Sequence, residues 1–218
     1  MIIAIDGPAG SGKSTLGRML ARSLNLLYID TGSMYRAVAL ATLDTALDPT
    51  HTEAVTELAQ RVDIRLEGDP DSLRVWLEGH EVTDRIREDD ITAMSSIVST
   101  IPGVRRALVA RQREMGQRGA VMNGRDIGTV VFPDADLKFF LDAAAEERAE
   151  RRFKEAQLVN PDVTLEQTLA EINERDRRDT TRVDSPLKIA DDAIVIDSTG
   201  LSIETVLNRM LEYVHRNN

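Results

Sequence analysis

Short, wholly apolar runs alternate along this chain with stretches whose apolar residues recur every three or four positions. MIIAI opens the sequence as a short buried strand, and SGKSTLGRMLARSL follows as a helix with Leu16, Leu20 and Leu24 on one face. LLYID is a second strand, leading into a helix over TGSMYRAVALATL. The texture then changes. VDIRLEG, SLRVWLEG and HEVTD alternate or carry β-branched residues, with turns at Gly68-Asp69-Pro70-Asp71 and Gly79-His80, which predicts a small antiparallel sheet. From Asp90 to Gly116 the spacing is helical again, broken at Ile101-Pro102-Gly103. AVMNG and LKFFLDA read as strands, AEERAERRFKEA and TLEQTLAEINERDRRD as helices, and AIVID and SIETVLNRMLEYV as a closing strand and helix. Helices set between strands imply an α/β fold, a parallel sheet covered on both faces. The hairpin region, about Val62 to Thr83, reads as an insertion into it.

Composition narrows what this scaffold can bind. At 218 residues, 42% hydrophobic and 29% charged, the chain is long enough for one domain with a sizeable insert. Thirty-seven acids against 27 bases leave a formal charge of −10. Such a surface repels nucleic acid and anionic membranes over most of its area, so any phosphate site must be local. The absence of cysteine excludes disulfides and thiolate catalysis. The opening apolar run stops at Asp6, too short for a signal peptide, and no segment is long enough to span a bilayer, so a cytoplasmic protein without a membrane partner is expected. His51, His80 and His215 show no ligand spacing, which argues against zinc.

Candidate chemistry enters at residues 6–15, DGPAGSGKST. Gly7-Pro8-Ala9-Gly10-Ser11-Gly12-Lys13-Ser14 matches G-x-x-x-x-G-K-[ST] and lies between a predicted strand and a predicted helix, as a nucleoside-triphosphate loop should. Glycines let the loop turn its N–H groups towards an anion, and the helix N-terminus adds positive potential. Lys13 suits the β- and γ-phosphates, and the Ser14 hydroxyl suits Mg²⁺. A glycine-rich turn with a chance lysine is the bland alternative, and the strand–helix context weighs against it. No N-K-x-D guanine reader is present and no convincing Walker B strand, which disfavours a GTPase or a motor ATPase. Three separated arginine groups remain: Arg36 in TGSMYR, Arg125 and Asp126 in the NGRDIGTVVFPDA loop, and Arg175, Asp179 and Arg182 in ERDRRDTTR. The last three recur at i, i+4 and i+7 and so predict one helical face. Arginines arriving from several strand ends suit a second phosphate; solvated surface arginines are the competing reading for any one of them.

In that order, DGPAGSGKST, DTGSMYRAVA, the hairpin insert, NGRDIGTVVFPDA and ERDRRDTTR resemble the bacterial cytidylate kinases, from Met1 to about Val214. The resemblance implies transfer of the γ-phosphoryl group of ATP to CMP or dCMP. It implies a P-loop nucleoside-monophosphate-kinase core, a five-stranded parallel sheet flanked by helices, within one domain over 1–218. An NMP-binding region at about 32–116 would hold a β insert at about 62–83, and a helical lid would lie at about 145–163. A monomer acting on small molecules, with Mg²⁺ accompanying ATP, is the implied setting.

Carried over residue by residue, the resemblance places ATP on Gly7, Pro8, Ala9, Gly10, Ser11, Gly12, Lys13, Ser14 and Thr15. Arg36, Arg125 and Arg182 would clamp the CMP phosphate; Ser96, Arg105 and Asp126 would read the base; Arg175 and Asp179 would sit by the sugar. An arginine with an acceptor carboxylate complements cytosine, whereas uracil would leave Asp126 facing a carbonyl. Thr31 stands where the family pattern has serine, a hydroxyl for a hydroxyl. Ser96, in ITAMSSIVST, faces either the site or solvent. Arg148, Arg151 and Arg152 share a helical face in the expected lid and could stabilise charge on the transferred group; an exposed helix of Glu-Arg pairs is the alternative. The residue before Gly124-Arg125-Asp126 is Asn123 where the family pattern has a carboxylate, which removes a charge from the expected metal surroundings and leaves Asp30 or Asp126 to supply it. Two other classes stay open: a small-metabolite kinase acting on shikimate or gluconate, and a regulatory protein that ATP merely switches.

Overall fold

The computed structural model describes residues 1–158 and 160–217. The chain starts with β1 (Ile2–Asp6), α1 (Lys13–Leu24), β2 (Leu27–Asp30) and α2 (Thr31–Asp44). It then leaves the central sheet for α3 (Thr52–Arg61), a hairpin unit of β3 (Ile64–Glu67), β4 (Arg74–Leu77) and β5 (His80–Glu81), and the helices α4 (Asp89–Val98) and α5 (Pro102–Gly116). It returns as β6 (Ala120–Asn123), β7 (Leu137–Asp142), α6 (Ala145–Gln157), α7 (Leu165–Thr181), β8 (Ile194–Asp197) and α8 (Ile203–Arg216). The central sheet has the order β2-β6-β1-β7-β8 with every pair parallel, and β3-β4-β5 form a separate antiparallel sheet.

A parallel sheet covered on both faces needs apolar residues at every position of its inner strands. β1 supplies them. Ile3 and Ile5 pack with Leu16, Leu20, Val206 and Met210 on the α1–α8 side, while Ala4 packs with Ile29, Val109 and Met122 on the α5 side. The small sheet shares a further core with α2 to α5, in which Met34, Val38, Val55, Leu58, Val75, Ile91 and Leu108 are buried together. All five parallel strands end at the same edge, on Asp6, Asp30, Asn123, Asp142 and Asp197. Ligands of such sheets bind outside that edge, where the strand order reverses, which here is beside β1.

Three details differ from the sequence reading. Helix α3 was not anticipated, although Val55, Leu58 and Ala59 carry its buried face at helical spacing. A single wide helical turn over Ile127–Val131 stands where a loop was expected. Helix α7 ends at Thr181, so Arg182 is not part of one helical face with Arg175 and Asp179. It is the extended residue after the helix, at φ −61° and ψ 143°, where the chain turns back and Leu187 N–H bonds Asp179 O. Pro186 shortly beyond cannot continue a helix. Val159, in the expected lid loop, lies outside the described residues. Among the described residues no helix is long and apolar enough to cross a membrane.

Candidate active site

The Gly7–Thr15 loop is shaped by its glycines. A Cβ on Gly7 would lie 2.0 Å from Leu141 O, and Gly12 caps α1 at φ +87°. Lys13, the first helical residue, is buried and folds back over the loop, donating to Pro8 O at 2.5 Å and Ser11 Oγ at 3.2 Å. Burial holds its ammonium well below the usual lysine range, and the charges of Arg125 and Arg175 push it further down. A lysine so placed gains from any anion that enters.

Around it the acceptor candidates form a cross-braced cluster drawn from four segments. Arg105 of α5 donates to Asp126 at 2.5 Å, and its guanidinium lies 5.3 Å from the Tyr35 ring centre. Arg182 donates to Asp179 at 3.2 Å and stands 3.8 Å from Asp126, an electrostatic contact beyond hydrogen-bonding reach. Arg125 Nε donates to Asp179 at 2.8 Å. Arg36 reaches Asp30 at 3.3 Å and Ser33 Oγ at 3.2 Å. Half-buried Arg175 forms no ion pair among the described residues; burial first, and then the Arg125 charge, push it down to about 10. Burial alone would raise the Asp179 carboxyl, but Arg125, Arg175 and Arg182 together hold it below the ordinary range. Three buried guanidinium nitrogens lack a hydrogen-bond partner: Arg36 Nε, Arg105 Nε and Arg182 Nη2. Ser96 is buried on α4, so its solvent-facing alternative falls away.

Thr31 opens α2 behind the N-cap Asp30 and donates to Asn123 O at 2.8 Å. Asn123 itself donates from Nδ2 to Ser14 Oγ at 3.2 Å, and its buried Oδ1 has no partner. No group of three or more His, Cys, Asp or Glu side chains stands ready for a metal among the described residues. A divalent ion here would rest on the Ser14 hydroxyl and the nucleotide's own oxygens, the usual Mg²⁺ arrangement, and the free Asn123 Oδ1 fits a water beside such an ion.

The three arginines of α6 part company. Arg148 is buried against the loop and donates to Ala9 O at 2.9 Å, Ala143 O at 2.9 Å and Asp176 at 2.5 Å. Arg151 turns to Ser198, at 3.1 Å to its hydroxyl and 2.9 Å to its carbonyl, and pairs with Glu147. Arg152 is exposed, pairs with Glu155 at 3.1 Å, and is one of the cations that lower Arg175. Two carboxylates escaped the sequence reading. Asp176 accepts from Ala9 N at 3.2 Å and so, with Arg148, holds both sides of one loop residue. Asp6 accepts from the N–H groups of Ile127 at 2.8 Å and Gly128 at 2.7 Å, and burial pushes it up to about 6. The available signal was an acid ending the strand directly before Gly7. Two surface hollows, of about 330 and 610 Å³, share Glu114 and Met115 in their walls and include none of these residues.

The chain matches the family described as Cytidylate kinase over residues 3–216. It is 52% identical to the cytidylate kinase of Desulforamulus reducens, over 98% of this chain and 96% of that protein. It is 48% identical to the cytidylate kinase of Caldicellulosiruptor bescii, over 98% and 95% of the two chains. Among solved structures, an uncharacterized protein from Eubacterium ventriosum superposes with a TM-score of 0.52 at 13% identity, covering 99% of this chain and 98% of that one, a likeness of fold alone.

Proposed function

The chain belongs to the cytidylate kinase family and is a (d)CMP kinase; from that premise we propose which of its residues carry the transfer of the ATP γ-phosphoryl group to CMP or dCMP. Gly7 to Thr15 hold the ATP phosphates, with Lys13 bridging the β and γ groups. Arg36, Arg125 and Arg182 hold the acceptor phosphate, Arg175 and Asp179 the ribose side, and Ser96, Arg105 and Asp126 the base, with Thr31 lining the phosphate side. Ser14 would hold Mg²⁺, with Asn123 orienting that hydroxyl, and the ion, when bound, would supply charge neutralisation. No general base is required, because the acceptor is already an anion; alignment and charge neutralisation carry the catalysis. Arg148, Arg151 and Arg152 belong to the lid side, and Arg152, the least engaged of them, suits the moving phosphoryl group.

What carries this reading is an imbalance. Lys13 and Arg175 are cations held below their ordinary ranges by burial first and by neighbouring arginines second, and three nearby guanidinium nitrogens have no acceptor. An anionic ligand relieves both conditions at once. The proposal includes a monomeric, cytoplasmic catalyst acting on these two nucleotides.

ADP formation with CMP, dCMP, UMP, AMP, GMP and shikimate as acceptors tests the reading. CMP and dCMP should be the preferred acceptors, with UMP well behind because Asp126 would meet a carbonyl. Preference for shikimate, or ATP binding with no acceptor turned over, would overturn it.

A further inference from the structure

Asp126 occupies the N-cap position of the Ile127–Val131 turn, where an aspartate ordinarily accepts from the first free backbone N–H groups. It makes no such bond, because its carboxylate faces Arg105 and Arg182 instead. The vacated capping task falls to Asp6, 120 positions earlier on β1, whose two oxygens take the Ile127 and Gly128 N–H groups at 2.8 and 2.7 Å. Upstream, Gly124 N–H bonds Ile5 O at 3.0 Å. Arg125 and Asp126 are therefore a two-residue bridge stretched between two anchors, and both anchors belong to the last two residues of β1, directly before Gly7.

We propose that Asp6 is a positioning residue for the acceptor nucleotide: by capping the Ile127–Val131 turn in place of Asp126, it frees Asp126 for the base and fixes Arg125 and Asp126 relative to the ATP loop. The proposal rests on the assignment of Asp126 to the acceptor side. Asp6 touches neither substrate. Its carboxylate is buried, so the turn and the strand end move as one body, and the distance between donor and acceptor phosphates is set by covalent chain on one side and two short hydrogen bonds on the other. A misplacement of about 1 Å at such a bridge is enough for large losses in rate or affinity.

The Asp6→Asn variant keeps the size and one acceptor oxygen but turns an amide N–H against one of the two backbone donors. It also removes a buried charge, so folding should survive. Two measurements are made on the full-length protein. Amide hydrogen exchange at Ile127 and Gly128, without nucleotides, should quicken in the variant by about tenfold or more. In steady-state assays KM for CMP should rise about tenfold, while KM for ATP stays within about twofold. If Asp6→Asn does not fold, Asp6→Ser, with one smaller acceptor, is held to the same criteria. Faster exchange with both KM values unchanged, or shifted equally, confines Asp6 to a structural cap and overturns the proposal. A wild-type protein that ignores CMP in the acceptor panel, with exchange still quickened in the variant, would instead locate the failure in the functional assignment.

Discussion

On the assignment proposed above, the ATP loop and the acceptor cluster solve one problem, holding a phosphate in an acidic protein, by opposite means. The loop uses backbone: nine consecutive residues, glycine conformations and a helix start, with Lys13 the one cationic side chain. The cluster uses side chains from α2, α5, the Gly124–Asp126 segment and the end of α7, each braced by a carboxylate. Backbone N–H groups cost nothing in charge and need no counter-ion in the free protein. Converging guanidinium groups repel one another and must be spaced by acids until a ligand arrives. Asp126 and Asp179 are those spacers, and each keeps two arginines within 4 Å of its oxygens.

The largest effect should follow from breaking the loop's single cationic contribution. Lys13→Ala removes a contact to charge that develops during transfer, and kcat should fall by about 10²–10³-fold. Folding should be unaffected, because a buried cation held below its usual range is an expense to the folded state rather than a support. Retention of near-normal kcat in a folded variant would remove the loop from the chemistry.

On the other side of the comparison, Asp126→Asn keeps shape and loses the spacer charge. KM for CMP should rise about 10- to 100-fold and KM for ATP hardly at all, because the proposal places the carboxylate on the acceptor side alone. Stability should drop as well. Arg105 is 1% exposed, and stripping a buried guanidinium of its counter-charge costs roughly 3–5 kcal/mol in comparable cases. Equal losses for both nucleotides would shift Asp126 to the metal or to a purely structural role.

The same contrast decides what the sequence could reveal. A backbone site is contiguous, so DGPAGSGKST declared itself with its strand and helix in place. Arg36, Arg125, Asp179 and Arg182 were found as separate groups, but their pairings were not, because nothing local tells Arg125 to meet Asp179 rather than the adjacent Asp126. Arg182 was placed on a helical face that ends one residue too soon. Asp6 and Asp176 act on partners more than 100 positions away, Ile127 and Ala9, and such contacts exist only once β1 has paired with β6 and α7 has packed on the loop. Helix α3 differs from these, since its buried face, Val55, Leu58 and Ala59, follows a local helical spacing that needs no distant partner.

Within α6, Arg152 and Arg151 offer a sharper test of side-chain convergence. Arg152→Ala gives up an exposed pair with Glu155, worth about 0–1 kcal/mol, so stability should hold while kcat falls roughly tenfold. Arg151→Ala loses its bonds to Ser198 and Glu147 and should show the reverse, a lower melting temperature with a smaller loss of kcat. Comparable kcat losses in both would mean that the helix contributes its charges as a face after all.

The smallest expected effect lies where the two halves meet. Every strand of the parallel sheet ends on an acid except β6, which ends on Asn123, between the loop's Ser14 and Thr31 at the start of α2. Asn123 now donates to Ser14 Oγ, which directs that hydroxyl's proton away and leaves a lone pair for a cation, but it brings no charge of its own. Asn123→Asp would reverse the bond, with Ser14 donating, and add a negative charge beside the Mg²⁺ position proposed above. A carboxylate there should attract a divalent ion more than an amide does, lowering the half-saturating magnesium by about two- to fivefold. Arg105 and Asp126, the base readers in the proposal above, are untouched, so the preference among acceptors should stay the same. A magnesium titration of turnover on both proteins, at saturating ATP and CMP, checks this. An unchanged or higher half-saturating concentration would mean that residue 123 acts on the Thr31 and Ser14 hydroxyls alone and has no hold on the ion.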